Sequence, residues 1–172
     1  MPAKTPLKAV FFDRDGVLNL DHGYVCEPDR LDWIDGAREA VAALNAAGVK
    51  VLVVTNQSGV ARGYFTEAQV DAFHAALQAG LASFGGKIDA FYVAPHHEDA
   101  VEDRYRHPDH PDRKPNPGMI LKAVVEHGLD PDRSLMIGDQ PSDMEAARRA
   151  GVLGFRFDGG DLSQFVADLL GD

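Results

Sequence analysis

The sequence predicts an α/β fold, a mostly parallel sheet with helices packed on both faces. Three observations predict it. Short apolar runs without strict alternation recur at 9–12, 50–56, 88–94, 135–138 and 152–157, as expected of strands covered on both faces. Stretches of helical spacing separate these runs, and regular alternation of strand and helix implies parallel pairing through crossovers. Three of the runs end abruptly in polar residues. A parallel sheet gathers such residues at its carboxyl edge, where open α/β sheets bind ligands.

The first run, 9–12, stops at Asp13-Arg14-Asp15-Gly16. Asp13 and Asp15 are two residues apart, so on an extended chain they share a face. Carboxylates that close repel, and they need a cation or a held proton. Two chemistries answer this, and both can hold together. One is a Mg2+ site of hard oxygens completed by a substrate phosphate. The other is a nucleophile with a general acid–base partner. The plainer alternative is a strand that ends in an Asp-Gly turn.

The polar stretch 20–33 carries Asp21-His22-Gly23-Tyr24 and is longer than an ordinary connection. Asp35-Gly36 opens a helix to about residue 47, stopped by Gly48. The strand 50–56 leads into Thr55-Asn56-Gln57-Ser58-Gly59, with Arg62-Gly63 in the same loop. Thr66-Glu67-Ala68-Gln69 reads as a capping box opening a helix to about residue 84. After the strand 88–94, the segment 95–117 has no apolar period and holds His96, His97, His107 and His110. Asn116-Pro117 predicts a helix with Pro117 at its first position, ending near residue 127. The strand 135–138 ends at Asp139, and Ser142-Asp143-Met144-Glu145 predicts a second capping box. A short helix over 161–170 closes the chain.

With 172 residues, 45% of them hydrophobic, the chain suits one domain, 1–172, with a full core. The net charge of −10 leaves no basic footprint for nucleic acid. It does not bar a phosphorylated substrate where a metal and a few cations reverse the local field. The single cysteine, Cys26, excludes an internal disulfide and fits a reducing compartment. No apolar run approaches membrane-spanning length, and the first eight residues are too short and polar for a signal peptide. The expectation is a soluble cytoplasmic protein, a monomer by default, without nucleic-acid or membrane partners.

Asp13-x-Asp15-Gly16, Thr55 after an apolar strand, Lys114 ahead of a helix, and Gly138-Asp139-x-x-x-Asp143 follow one another in the chain. In that order they resemble the four motifs of the haloacid dehalogenase-like phosphatase superfamily, over residues 11–154. The strings Asp13 to Asn19, His22 to Val25, Thr55 to Gly63 and Arg113 to Met119 look like the branch of D-glycero-D-manno-heptose 1,7-bisphosphate phosphatases, with histidinol-phosphate phosphatases as nearest relatives. The resemblance implies a Rossmann-like sheet with no separate cap domain. It also implies a Mg2+-dependent phosphomonoesterase that works through an aspartyl-phosphate on a sugar phosphate.

Carried over residue by residue, Asp13 would be the nucleophile and Asp15 the general acid and then base. Asp13, Asp139 and the Asp15 backbone carbonyl would hold Mg2+. Thr55 and Lys114 would contact the phosphoryl group, and Asp143 would orient Lys114 or a metal-bound water. Asp21, His22, Gly23, Tyr24, Asn56, Gln57, Ser58, Arg62, Arg113 and Gln140 would surround the substrate, with Arg62 and Arg113 facing a distal phosphate. Arg14 is expected as a structural residue or a solvent salt bridge, and Trp33 and Cys26 as packing. Two departures stand out. The family's zinc loop has three cysteines that are absent here; His96, His110 and Asp112 remain as ligands for Zn2+, against the preferred reading of a loop that has lost its metal. Gln140 stands where a lysine is usual, which bears on the substrate rather than the chemistry. The alternatives are a histidinol-phosphate phosphatase and a catalytically idle phosphate-binding module.

Overall fold

A computed structural model describes residues 5–171. Its centre is a five-stranded sheet in the order β3-β2-β1-β4-β5, built from β1 (Ala9–Phe12), β2 (Lys50–Asn56), β3 (Ala90–Ala94), β4 (Ser134–Gly138) and β5 (Leu153–Arg156). Every pair is parallel, as the uninterrupted apolar runs require. From β1 the chain steps outward through β2 to β3, then returns to the other side of β1 for β4. That reversal opens a crevice at the carboxyl ends of β1 and β4.

Alternation along β1 divides the core. Val10 and Phe12 pack with Val51, Val53 and Ile137 beneath α1 (Ala37–Ala46) and α5 (Leu162–Leu170). Ala9 and Phe11 pack the opposite way with Leu52, Val54 and Met136, beneath α3 (Gly118–Glu126) and α4 (Pro141–Arg149). A third cluster lies beside the crevice. There Val25, Val60, Phe65 and Tyr105 pack on Val70, Phe73 and Leu77 of α2 (Glu67–Ala82). This cluster pins three long connections, 20–33, 57–65 and 95–117, against one helix. The Tyr105 hydroxyl donates to Glu67 at 2.7 Å to anchor the longest of them.

Several boundaries move for local reasons. The Thr66–Gln69 capping box forms as expected, and its helix ends at Ala82. The third strand starts at Ala90 rather than residue 88, because the Gln78 side chain takes both backbone groups of Ile88, at 2.7 and 2.9 Å. Pro117 is the N-cap of α3, and the helix begins at Gly118. The helix expected to be capped by Ser142 instead begins at Pro141. Its cap is Gln140, whose N–H donates to the Asp143 carboxylate at 3.0 Å. Proline suits a first turn because its missing N–H would have had no partner there.

Phe11 is fully buried and sits two residues before Asp13 on the central strand. Replacing it by alanine should cost roughly 3–5 kcal/mol through lost burial and a cavity, read as a lower urea midpoint with an unchanged slope.

Candidate active site

β1, β2 and β4 all deliver their carboxyl ends to the crevice. Beyond them, Asp13, Asp15, Asp21, Asn56, Lys114, Asp139, Gln140, Ser142 and Asp143 line an open cavity of about 210 Å3. Its base is one ammonium group. Lys114 is buried, and its Nζ donates to Asp13 Oδ1 at 2.9 Å, Asp143 Oδ1 at 2.6 Å and the Val54 carbonyl at 2.8 Å. Burial alone would pull the Lys114 pKa down, but Asp13 and Asp143 outweigh it and the net shift is upward. Asn56 clamps the lysine backbone from both sides: its Nδ2 donates to the Lys114 carbonyl and its Oδ1 accepts the Lys114 N–H, each at 3.0 Å.

Asp13, Asp139 and Asp143 bring ligand oxygens within 4.8 Å of one another, the one such group of three among the described residues. Asp143 is already committed. Its Oδ1 holds Lys114, and its Oδ2 accepts the N–H groups of Asp139 and Gln140 at 3.1 and 3.0 Å. Both of its oxygens are therefore engaged, and of the three carboxylates Asp13 and Asp139 are the ones that could hold a cation. Asp139 Oδ1 is buried with no hydrogen-bond partner, a state that costs free energy unless something else satisfies it. The chain opens space for this carboxylate at Gly16, where φ is +85° and a Cβ would overlap the Asp139 side chain. Hard oxygens, crowded negative charge and one orphaned oxygen fit a divalent cation of the magnesium type.

Asp15 stands apart from that cluster. Its Oδ1 accepts from Asn19 Nδ2 at 2.9 Å, from Arg14 Nε at 3.0 Å and from Arg14 Nη2 at 2.9 Å. Its Oδ2 accepts from Gln57 Nε2 at 3.0 Å. Arg14 is not a solvent salt bridge: it is completely buried. Its direction is not legible in the sequence, since strand alternation would turn it away from Asp15; β1 has ended at Phe12 and the chain is already turning.

Other expected contacts are distributed unevenly. Asp21, Asn56 and Gln140 line the cavity, and Gln140 Nε2 reaches Asp139 Oδ2 at 3.3 Å. Thr55 is buried beneath Gln57, whose amide donates to its hydroxyl oxygen at 2.9 Å, so Thr55 does not line the cavity. His22 turns outward to Asp32 at 2.5 Å. Gly23 and Tyr24 form a turn with φ of +75° and +50°, and Tyr24 meets Tyr64 edge to face at 4.8 Å. Ser58 accepts the Arg62 N–H through its backbone at 2.9 Å. Arg62 reaches His97 at 3.1 Å, and Arg113 donates to the His96 carbonyl at 3.1 Å. Burial and the neighbouring Arg62 charge both lower the Arg113 pKa. Ser142, unforeseen as a site residue, joins the cavity wall because the first turn of α4 begins at Pro141.

Among the described residues, no group of three metal-ligating side chains forms in the histidine loop. His96 and His110 stack face to face at 3.6 Å, but Asp112 pairs with Lys122. The His110 Nδ1 accepts the Asp112 N–H at 3.1 Å. Prolines, this stack and the Gly118 N–H to Pro111 carbonyl bond at 2.9 Å hold the loop's shape.

A family model of haloacid dehalogenase-like hydrolases matches residues 19–151, and the chain belongs to that family. The matched span begins beyond Asp13 and Asp15, so their roles rest on geometry. A protein of Rhodopseudomonas palustris named D-glycero-beta-D-manno-heptose-1,7-bisphosphate 7-phosphatase is 46% identical over 99% of this chain and 94% of its own length. One of the same name from Pasteurella multocida is 45% identical over 84% of this chain and 78% of its own. The crystal structure of D,D-heptose 1,7-bisphosphate phosphatase from B. bronchiseptica, complexed with magnesium and phosphate, matches with a TM-score of 0.84 and 30% identity, over 96% of this chain and 99% of that one.

Burial raises the Asp13 pKa to about 8; Lys114 opposes the shift, and Asp143 and Asp139 add to it. The folded protein therefore keeps a proton that the unfolded chain releases near 3.8. That contribution to stability is complete below the unfolded value and is lost as pH rises through the folded one. A cation must displace this proton. Mg2+ should therefore raise Tm more at about pH 8 than at about pH 6, by scanning fluorimetry; equal rises would show that Asp13 is already ionised without metal.

Proposed function

We propose that the protein is a Mg2+-dependent phosphatase that removes the 7-phosphate of D-glycero-D-manno-heptose 1,7-bisphosphate through an aspartyl-phosphate. The observation that carries the reading is the buried junction of Asp13, Lys114, Asp139 and Asp143 at the edge of β1 and β4. It joins a nucleophile, a fixed positive charge and an open cation position in one cavity. The relatives' shared name supports the substrate.

The Asp13 Oδ1 accepts both the Lys114 ammonium and the Arg14 N–H, each at 2.9 Å. Its Oδ2 is the oxygen left to attack phosphorus. Asp13 and Asp139 would hold Mg2+, which when bound would supply charge neutralisation for the phosphate oxygens. Lys114 holds the nucleophile at one rotamer and offers positive charge to the transferring group. Asp15 protonates the departing sugar oxygen, and then takes a proton from the water that attacks the Asp13-bound phosphoryl group. Each transfer of this kind contributes about 10²–10⁴-fold.

Arg62 and Arg113 favour a bisphosphate. They lie close enough to depress Arg113, and neither forms an ion pair with a carboxylate among the described residues. Two unpaired guanidinium groups suit a second phosphate and repel the ammonium group of histidinol phosphate.

Asp13→Asn should leave Tm near that of the native protein and reduce phosphate release by more than about 10³-fold; near-native turnover would end the nucleophile assignment. EDTA should stop activity and Mg2+ restore it. Arg113→Gln should raise KM for the heptose bisphosphate about tenfold while changing KM for p-nitrophenyl phosphate little. Faster turnover of histidinol phosphate than of either heptose bisphosphate anomer would move the protein to the other branch.

A further inference from the structure

Arg14 is the largest fully buried side chain among the described residues, and its burial needs a reason. Taking a guanidinium out of water is costly unless it is paired and hydrogen-bonded, and methionine would fill much of the same space without that cost. The surroundings of Arg14 are specific. Its Nε and Nη2 grip the Asp15 carboxylate, Nη2 also donates to the Val25 carbonyl at 2.7 Å, and Nη1 lies 3.3 Å from His74 Nε2. The guanidinium plane rests on the Phe73 ring at 4.5 Å.

We propose that Arg14 is a positioning residue that sets Asp15 for proton transfer, braced from behind by a neutral His74. The inference rests on the acid–base reading of Asp15. Arginine has no acceptor, so the His74 Nε2 facing it must be the unprotonated nitrogen. Burial and the Arg14 charge agree, lowering the His74 pKa to about 3. The imidazole is stacked on Phe91 of β3 at 4.1 Å and 11°. Asp15 is thus the carboxylate bonded to Arg14, while Val25 and His74 supply neutral acceptors on its other sides. Arg14 so fixes the rotamer of Asp15 away from the Asp13–Asp139 pair and keeps the acid–base group out of the cation position. It ties that rotamer to two rigid elements, α2 through Phe73 and His74 and β3 through Phe91.

A double-variant cycle tests this. With the heptose bisphosphate as substrate, Arg14→Met should lower kcat by about 10²-fold and leave KM within about threefold. In an Asp15→Asn background the same change should cost nothing further. The double variant also removes both members of the pair, so no uncompensated charge stays buried, and it should fold even if Arg14→Met alone does not. On p-nitrophenyl phosphate, whose leaving oxygen needs no proton, Arg14→Met should accumulate acid-stable label on Asp13, because water activation is the step left impaired. Multiplicative losses in the cycle, or equal losses on both substrates without labelled intermediate, would overturn the inference and make Arg14 a packing residue. Full activity of Asp15→Asn alone would instead overturn the acid–base reading, and the inference with it.

Discussion

One buried ammonium group organises the catalytic edge of the sheet. Lys114 Nζ is bonded at once to the residue following β1, to the backbone of β2 and to the first turn of α4. Its three donors are all used within the protein, so the lysine is fixed before any ligand arrives. Removing it would leave Asp13 and Asp143 facing each other as buried carboxylates, which is costlier than losing a surface pair. The lysine comes from outside the sheet, at the end of the irregular segment 95–117. Everything that holds that segment, from Tyr105 on Glu67 to the Asn56 clamp, therefore also places the charge.

The cluster is still short of positive charge. A single lysine, bonded to Asp13 and Asp143, serves a cluster of three carboxylates; burial first, then Asp143 and Asp139, raise the Asp13 pKa against it, and an Asp139 oxygen stays orphaned. A protein of net charge −10 would repel a bisphosphate in general, yet in the proposed mechanism the sign is reversed locally by a cation on Asp13 and Asp139 and by Lys114 at the cavity base, with Arg62 and Arg113 proposed for the second phosphate. Global acidity and a site for anions are compatible because the field within a small, low-dielectric crevice is set by its nearest charges.

Much of this was legible because strand ends are legible. Asp13, Asn56 and Asp139 fall where apolar runs stop, and parallel pairing then puts them on one edge without further information. Long-range partners were legible only through motif resemblance: nothing in the period or composition of 95–117 places Lys114 under Asp13. What escaped was side-chain direction after a strand has ended. The sequence leaves Arg14 as structural or a solvent salt bridge; it is buried in the core, which fits the first and not the second. His22 is expected among substrate contacts, but it has a nearer partner in Asp32. Ser142 is expected as a cap, but Pro141 and the reach of Asp143 to the Gln140 N–H start the helix earlier.

These cases share a cause. On β1, β2 and β4, hydrogen-bonded neighbours on both sides leave one orientation per residue, so sequence position determines placement. In the connections, each polar side chain chooses among several local partners, and the choice depends on groups distant in the chain. The site divides along the same line. The residues to which the proposed mechanism gives the chemistry, Asp13, Lys114 and Asp139, are tied to strand ends or to one another. The residues that would discriminate among sugar phosphates, Tyr24, Arg62 and Arg113, lie on connections held by the satellite core of Val25, Val60 and Tyr105 on α2. Specificity on such a scaffold can change by repacking that cluster, while the ammonium-centred junction stays as it is.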